Sequence, residues 1–244
     1  MIREIIIGAI SSIIGATITL VVTKLFWGYK HFKGVKNVAR LNQDCYKAGI
    51  INVFPNREAY IEHKDHGKST TYISKAKHSV LYVGYWLATS TEIGEVKSTI
   101  KKLVNKQITV TLVFISPNDT ATLEICSKYI NVDPNTISMR VKTVLEGLLG
   151  FKKTLGENEA KYLIIKVHKV PLSTTAFVID CYQSKECRIL LDYKVYNGNR
   201  ESSYGIEYQD SERIITKKAL DSYIAITGSA HEIAGINEIK ELLS

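Results

Sequence analysis

The chain has 244 residues, of which 45% are hydrophobic and 23% are charged. This composition excludes wholesale disorder and allows one ordinary domain together with a further segment. Lysine and arginine number 32 against 24 acidic residues, a net charge of +8, which favours an anionic partner such as acidic lipid, a nucleotide or nucleic acid.

The first feature along the chain is a run of 19 residues without a charge, Ile5–Thr23. As a helix this run would be about 28 Å long, close to the roughly 30 Å of a hydrocarbon core. The aromatic residues Phe26 and Trp27 follow it, at the place where an interfacial aromatic belt is expected. We therefore predict one transmembrane helix within residues 1–28, with a secretory signal or a buried core helix as the alternatives.

A basic segment follows the predicted helix, in a stretch of 17 residues that contains no acid. Its cations are Lys24, Lys30, Lys33, Lys36 and Arg40. Because positive residues stay on the inner side of a membrane, we predict a single-pass protein of the cell membrane with its N-terminus outside and its C-terminal domain in the cytoplasm. We expect the linker 29–48 to lie on anionic phospholipid, to which each cation contributes roughly 1 kcal/mol; alternatively, these lysines only set the topology.

Small residues recur along one side of the predicted transmembrane helix, namely Gly8, Ser12, Gly15 and Ala16. Small residues at four-residue spacing allow two helices to approach closely in lipid. The pattern favours self-association into a homo-oligomer, although such residues are also common in isolated membrane helices.

Residues 49–244 have the pattern of an α/β domain. Strands are predicted over 50–54, 79–87, 108–115, 161–167, 174–180 and 187–193, and helices over 58–62, 91–105, 121–129, 134–149 and 211–226. Strands and helices alternate at first and strands dominate later, which predicts one mixed sheet flanked by helices.

Four stretches of this domain carry a family resemblance in their order along the chain: GIINVFPNREAYI, SVLYVGYWL, ITVTLVFISPND and TTAFVID. Together they resemble one half of the phospholipase D-like superfamily, whose active members carry H-x-K-x-x-x-x-D on the late strand. The resemblance implies a histidine that attacks phosphorus and a lysine that binds the phosphate oxygens. If Asp180 takes the aspartate place, Ser173 stands at the histidine place and Thr175 at the lysine place.

These two departures from the motif predict that the domain has no catalytic residues and is not an enzyme. Serine does not easily replace a histidine that is both nucleophile and proton carrier, and threonine offers no positive charge to a phosphoryl group. We expect no cofactor and no metal. A candidate anion pocket at the strand ends comprises Lys166, His168, Lys169, Ser173, Thr175 and Asp180.

A membrane anchor joined to a catalytically blank cytoplasmic domain resembles the membrane effectors of prokaryotic antiviral defence, including the partners of short Argonaute systems. The resemblance implies an effector that a cytoplasmic protein sensor complex activates, and that then perturbs or depolarises the membrane. One alternative is a membrane-tethered phosphodiesterase or nuclease of the phospholipase D-like superfamily, with His168 as its nucleophile. Another is a receptor module for a nucleotide or a protein. We expect no nucleic-acid partner, because no strong basic patch with interleaved aromatic residues is present.

Overall fold

The computed structural model describes residues 40–63, 67–87, 93–183, 185–198 and 202–233, and the chain divides into two units, Met1–Tyr46 and Lys47–Ser244. In the first unit the described residues, 40–46, are helical, and we call this helix α1. The predicted transmembrane helix, its small residues and Lys24, Lys30, Lys33 and Lys36 lie outside the described residues. Within the described ranges, no helix has the length and apolar character needed to span a membrane.

The second unit contains eight described strands and seven described helices. The strands are β1 (Ile50–Phe54), β2 (Ser79–Gly84), β3 (Thr109–Ile115), β4 (Leu163–His168), β5 (Thr174–Ile179), β6 (Arg188–Tyr193), β7 (Tyr204–Gln209) and β8 (His231–Glu232). The helices are α2 (Arg57–Glu62), α3 (Ser69–Ile73), α4 (Ile93–Val104), α5 (Thr120–Ile130), α6 (Pro134–Lys153), α7 (Glu157–Ala160) and α8 (Ile214–Ser229).

All eight strands form one mixed sheet in the order β1-β7-β6-β5-β2-β3-β4-β8. Strands β2, β3 and β4 are parallel, whereas every other neighbouring pair is antiparallel. The α/β class with a mixed sheet and flanking helices, predicted from the sequence, is therefore confirmed. Strand β5 joins the two parts of the sheet, because it pairs with β2 of the parallel part and with β6 of the antiparallel part.

Local sequence explains where the main elements begin. Asn56 caps α2, because its side chain accepts a hydrogen bond from the Ala59 amide at 2.8 Å. Asp133 caps α6 through the Thr136 amide at 2.9 Å, and Pro134 occupies the first turn, where its missing N–H is not needed. Strand β3 is rich in β-branched residues and buries its last four side chains.

The sheet has two distinct faces, because residues that pair directly across strands point to the same side. On one side, Lys166 and Thr174 contact α8 through Thr227 and Tyr223, and we call this side the α8 face. On the other side, Arg188 lies 5.9 Å from the Tyr72 ring of α3; we call it the α3 face.

Candidate functional site

The motif positions lie at the edge of the sheet where the parallel strands end. Because β5 runs antiparallel to β2, the first residues of β5 lie beside Gly84, at the carboxyl end of β2. Crevices at the carboxyl ends of parallel strands are the usual ligand sites of open α/β sheets. Ser173 is exposed at this edge, whereas Thr175 is buried.

Thr175 lies directly opposite Asp192 of β6. Asp192 is also buried, and its carboxylate accepts a hydrogen bond from the Lys194 ammonium. The Arg57 guanidinium lies 3.9 Å from the same carboxylate. Thus, where the resemblance places a lysine for phosphate, this chain holds a carboxylate that its own cations neutralise. We call Thr175, Asp192, Lys194 and Arg57 the Asp192 cluster.

Arg57 is the more loosely held cation of the Asp192 cluster. It is the first residue of α2, whose beginning is fixed by the Asn56 cap. Its Nε atom is buried and has no hydrogen-bond partner, and its side chain is 28% exposed. A guanidinium carries five N–H donors, so Arg57 retains donors that the 3.9 Å contact with Asp192 does not use.

His168 ends β4 on the α8 face, whereas Thr175 lies on the α3 face. The strand register shows this. Phe177 pairs with Tyr82, Tyr82 with Leu112, and Leu112 with Ile165, so these four side chains share one face. Thr175 lies two residues from Phe177 and shares that face, whereas His168 lies three residues from Ile165 and points to the other face. His168 is 2% exposed, and burial lowers its pKa to about 4. Two strands, β2 and β3, and a change of face separate His168 from Thr175.

The hydrogen bond of His168 assigns its tautomer. The Val170 amide donates to His168 Nδ1 at 3.1 Å, so Nδ1 has no proton and the neutral ring carries its proton on Nε2. Nε2 is buried without a hydrogen-bond partner. A protonated Nε2 has no lone pair for attack on phosphorus, so this arrangement does not suit a nucleophile.

The two lysines of the predicted anion pocket also lie away from the Asp192 cluster. Lys166 is half-buried on the α8 face and donates to the Thr227 carbonyl at 3.1 Å. Lys169 is exposed in the β4–β5 loop. Both lie nearer to His168 than to Thr175 along the sheet order.

Asp180 lies at the opposite end of β5 from Ser173 and Thr175, roughly 17 Å from Thr175 along an extended strand. It is buried, has a left-handed φ of 55° and accepts hydrogen bonds from the amides of Lys77, His78 and Ser79. The His78 bond is the shortest, at 2.7 Å. Asp180 therefore fixes the beginning of β2 to the end of β5.

Of the six residues predicted as an anion pocket, the structure brings Ser173 and Thr175 together, and Lys166, His168 and Lys169 form a separate group. Sequence reasoning missed Arg57, Asp192 and Lys194. An acid inside the apolar stretch CRILLDY is a signal that could have found Asp192, because a buried aspartate requires a partner. Among the described residues, no group of three histidine, cysteine or acidic side chains is placed to hold a metal ion.

Solved structures similar to this chain include a synthase and a phospholipase D family member. Phosphatidylserine synthase of Haemophilus influenzae Rd KW20 has a TM-score of 0.47 and 9% identity, over 70% of this chain and 38% of the synthase chain. Nuc, a phospholipase D family member from Salmonella typhimurium, has a TM-score of 0.42 and 7% identity, over 70% of this chain and 93% of Nuc. This chain thus corresponds to little more than a third of the synthase. No protein-family model matches it, and no curated protein matches it.

Proposed function

We propose that this protein is a membrane-anchored effector whose phospholipase D-like domain lacks the catalytic histidine and lysine. It binds anionic phospholipid through Lys24, Lys30, Lys33, Lys36 and Arg40, and perturbs or depolarises the membrane once a cytoplasmic sensor complex recruits or clusters it. The observation that carries the proposal is the Asp192 cluster. At the place of the motif lysine, Thr175 faces a carboxylate that Lys194 already neutralises.

Two physical points support a non-catalytic role for this edge of the sheet. Thr175 offers no positive charge to a phosphate ester, and the neighbouring Lys194 ammonium is already bound to the Asp192 carboxylate. The hydroxyl group of exposed Ser173 has no general base on the same face among the pocket residues, because His168 lies on the other face. A serine without such a base is a weak nucleophile.

Inducible expression with a membrane-potential dye tests the effector proposal. We expect the full chain to depolarise cells, and a chain lacking residues 1–28 to leave the potential unchanged because its anchor is gone. Neutralising Lys30, Lys33 and Lys36 to glutamine should weaken depolarisation at equal protein level.

A matched control for the lysine variant removes the same charge elsewhere. Lys101, Lys102 and Lys106, on or just after α4, changed to glutamine should leave depolarisation as in the full chain. Equal toxicity with and without residues 1–28 contradicts the proposal, and an equal effect of the two triple variants removes its lipid-binding part.

The enzymatic alternative, a phosphodiesterase that uses His168, makes a different prediction. The purified full chain in detergent would hydrolyse bis(4-nitrophenyl) phosphate without added metal, and His168→Ala would abolish this activity. We expect no turnover above a heat-treated sample, because the Nε2 proton leaves His168 without a free lone pair.

A further inference from the structure

A pocket between α2, α3 and α4 gathers hydrogen-bond donors that the proposed function does not use. It is open to solvent, its cavity volume is about 30 Å³, and its polar lining consists of Arg57, Lys68, Ser69, Thr70 and Glu95. Tyr60 and Val96, both buried, contribute to its apolar wall. We call it the Arg57 pocket.

Arg57 gives this pocket a cation with unused hydrogen-bonding capacity. Its contact with Asp192 is 3.9 Å long, whereas Lys194 holds the same carboxylate through a hydrogen bond. Its Nε has no partner. The side chain is 28% exposed, and because the guanidinium fork matches the oxygens of a carboxylate or a phosphate, its exposed part offers donors to an incoming anion.

Lys68 is the second cation of the pocket, and its present partner holds it weakly. Its ammonium lies 3.2 Å from Glu95, with both side chains more than half exposed. Exposed ion pairs of this kind contribute little to stability, so an anion with more charge than a carboxylate can compete for Lys68. The hydroxyl groups of Ser69 and Thr70 add two further donors.

We propose that the Arg57 pocket binds a phosphate group, with Arg57 and Lys68 as its cations and Glu95 as the carboxylate that limits the affinity. The phosphate belongs either to a small soluble ester or to a lipid headgroup, since the chemistry of recognition is the same. The proposal does not require the effector function, because its test measures phosphate binding at Arg57 and Lys68 and involves none of the juxtamembrane lysines.

Calorimetric titration of inorganic phosphate into the full chain, held in phosphatidylcholine nanodiscs, tests the proposal. We expect saturable binding by the wild type and about tenfold weaker binding by Arg57→Gln and by Lys68→Gln. Glu95→Gln should bind about twofold to fivefold more tightly, because it keeps the size of the side chain and removes the competing carboxylate.

Lys102→Gln is the matched control, because Lys102 is an exposed lysine of α4 that lines a neighbouring groove without Arg57. It should bind phosphate as the wild type does. Lys68 and Glu95 are exposed, so their variants test the site even if Arg57→Gln lowers the melting temperature. Absence of saturable binding up to about 10 mM phosphate overturns the proposal, as does equal weakening by Lys68→Gln and Lys102→Gln.

A second arm of the experiment distinguishes the source of the phosphate. Phosphatidic acid is added to the nanodiscs and the titration is repeated. If phosphatidic acid weakens the binding of inorganic phosphate to the wild type but not to Lys68→Gln, the ligand is a lipid headgroup. If phosphatidic acid leaves the binding of inorganic phosphate unchanged, the ligand is a soluble ester. Both results support a phosphate site in this pocket.

Discussion

Thr175 and Asp192 face each other across the β5–β6 pairing, on the side of the sheet that α3 covers. Lys194 and Arg57 both approach the Asp192 carboxylate. Two cations therefore surround one carboxylate, and the cluster has a net positive charge. We therefore expect the Asp192 cluster to contribute to the stability of the domain, and the first measurement on its variants is the free energy of unfolding.

Replacing Asp192 by alanine should destabilise the protein by about 3–5 kcal/mol, because the largely buried Lys194 ammonium loses its carboxylate. Asp192→Asn keeps an acceptor oxygen and should lose less. Chemical unfolding of the full chain in detergent measures both changes. Near-equal stability of wild type and Asp192→Ala would show that the cluster is not held as described.

Replacing Asp180 by alanine should cost about 3 kcal/mol, because three buried or half-buried amide groups lose their acceptor. Asp180→Asn retains one acceptor oxygen and tolerates the left-handed φ of 55°, so it should lose clearly less. Thermal unfolding ranks the two variants. If asparagine is as damaging as alanine, the carboxylate charge matters more than the hydrogen bonds.

His168 should make stability depend on pH in a definite direction. Burial lowers its pKa to about 4 in the folded protein, against about 6.5 in the unfolded chain. The unfolded chain therefore binds the proton first as the pH falls. The contribution of neutral His168 to the free energy of unfolding is complete above pH 6.5. It is lost between about pH 6.5 and 4, and the total loss is about 3 kcal/mol.

His168→Asn isolates this effect, because asparagine offers an acceptor near Nδ1 and does not titrate. The difference in unfolding free energy between wild type and variant should change across that pH range and be constant above it. A difference that is the same at pH 7.5 and pH 4.5 would mean that His168 is not buried as a neutral ring.

Gly49, just before β1, should not accept a side chain. Its φ is +83°, and an added Cβ would lie 2.1 Å from Thr216 Oγ1 and 2.9 Å from the Gln209 carbonyl oxygen. Gly49→Ala should therefore lower stability by about 2 kcal/mol or more. Gly150, inside α6 with open space around it, is the control, since Gly150→Ala should stabilise by about 0.5–1 kcal/mol. Thermal unfolding measures both variants, and we expect the melting temperature to fall for Gly49→Ala and to rise for Gly150→Ala.

Hydrophobic patterning predicted most of the sheet. The stretch ITVTLVFI was expected over 108–115 and is observed as Thr109–Ile115, because its β-branched residues suit a buried strand. Strand β7 was missed, since YGIEYQ contains a glycine and a glutamate. The buried carboxylate of Glu207 is stabilised by the Arg188 guanidinium, which lies 2.5 Å away and 19 positions earlier in the chain. The Asn52 side chain on β1 donates a further hydrogen bond to it. Such long-range compensation has no local signature.

The candidate site was less predictable than the fold for a geometric reason. Placing Thr175 and His168 on opposite faces requires the order and register of four strands, and a shift of one residue reverses a side chain's direction. A strand was predicted over 174–180 and is observed as Thr174–Ile179, but spacing along the chain could not show that Arg57 and Lys194 meet at Asp192.

The position of β1 has a consequence for how the protein is made. Its described partner is β7, and Asn52 bonds to Glu207, 155 positions later in the chain. At ordinary translation rates a ribosome needs roughly 8–30 s to make that stretch. Throughout this interval the nascent β1, with its Ile51 and Val53, has no partner strand, so the part of the domain made first is among the last to join the sheet.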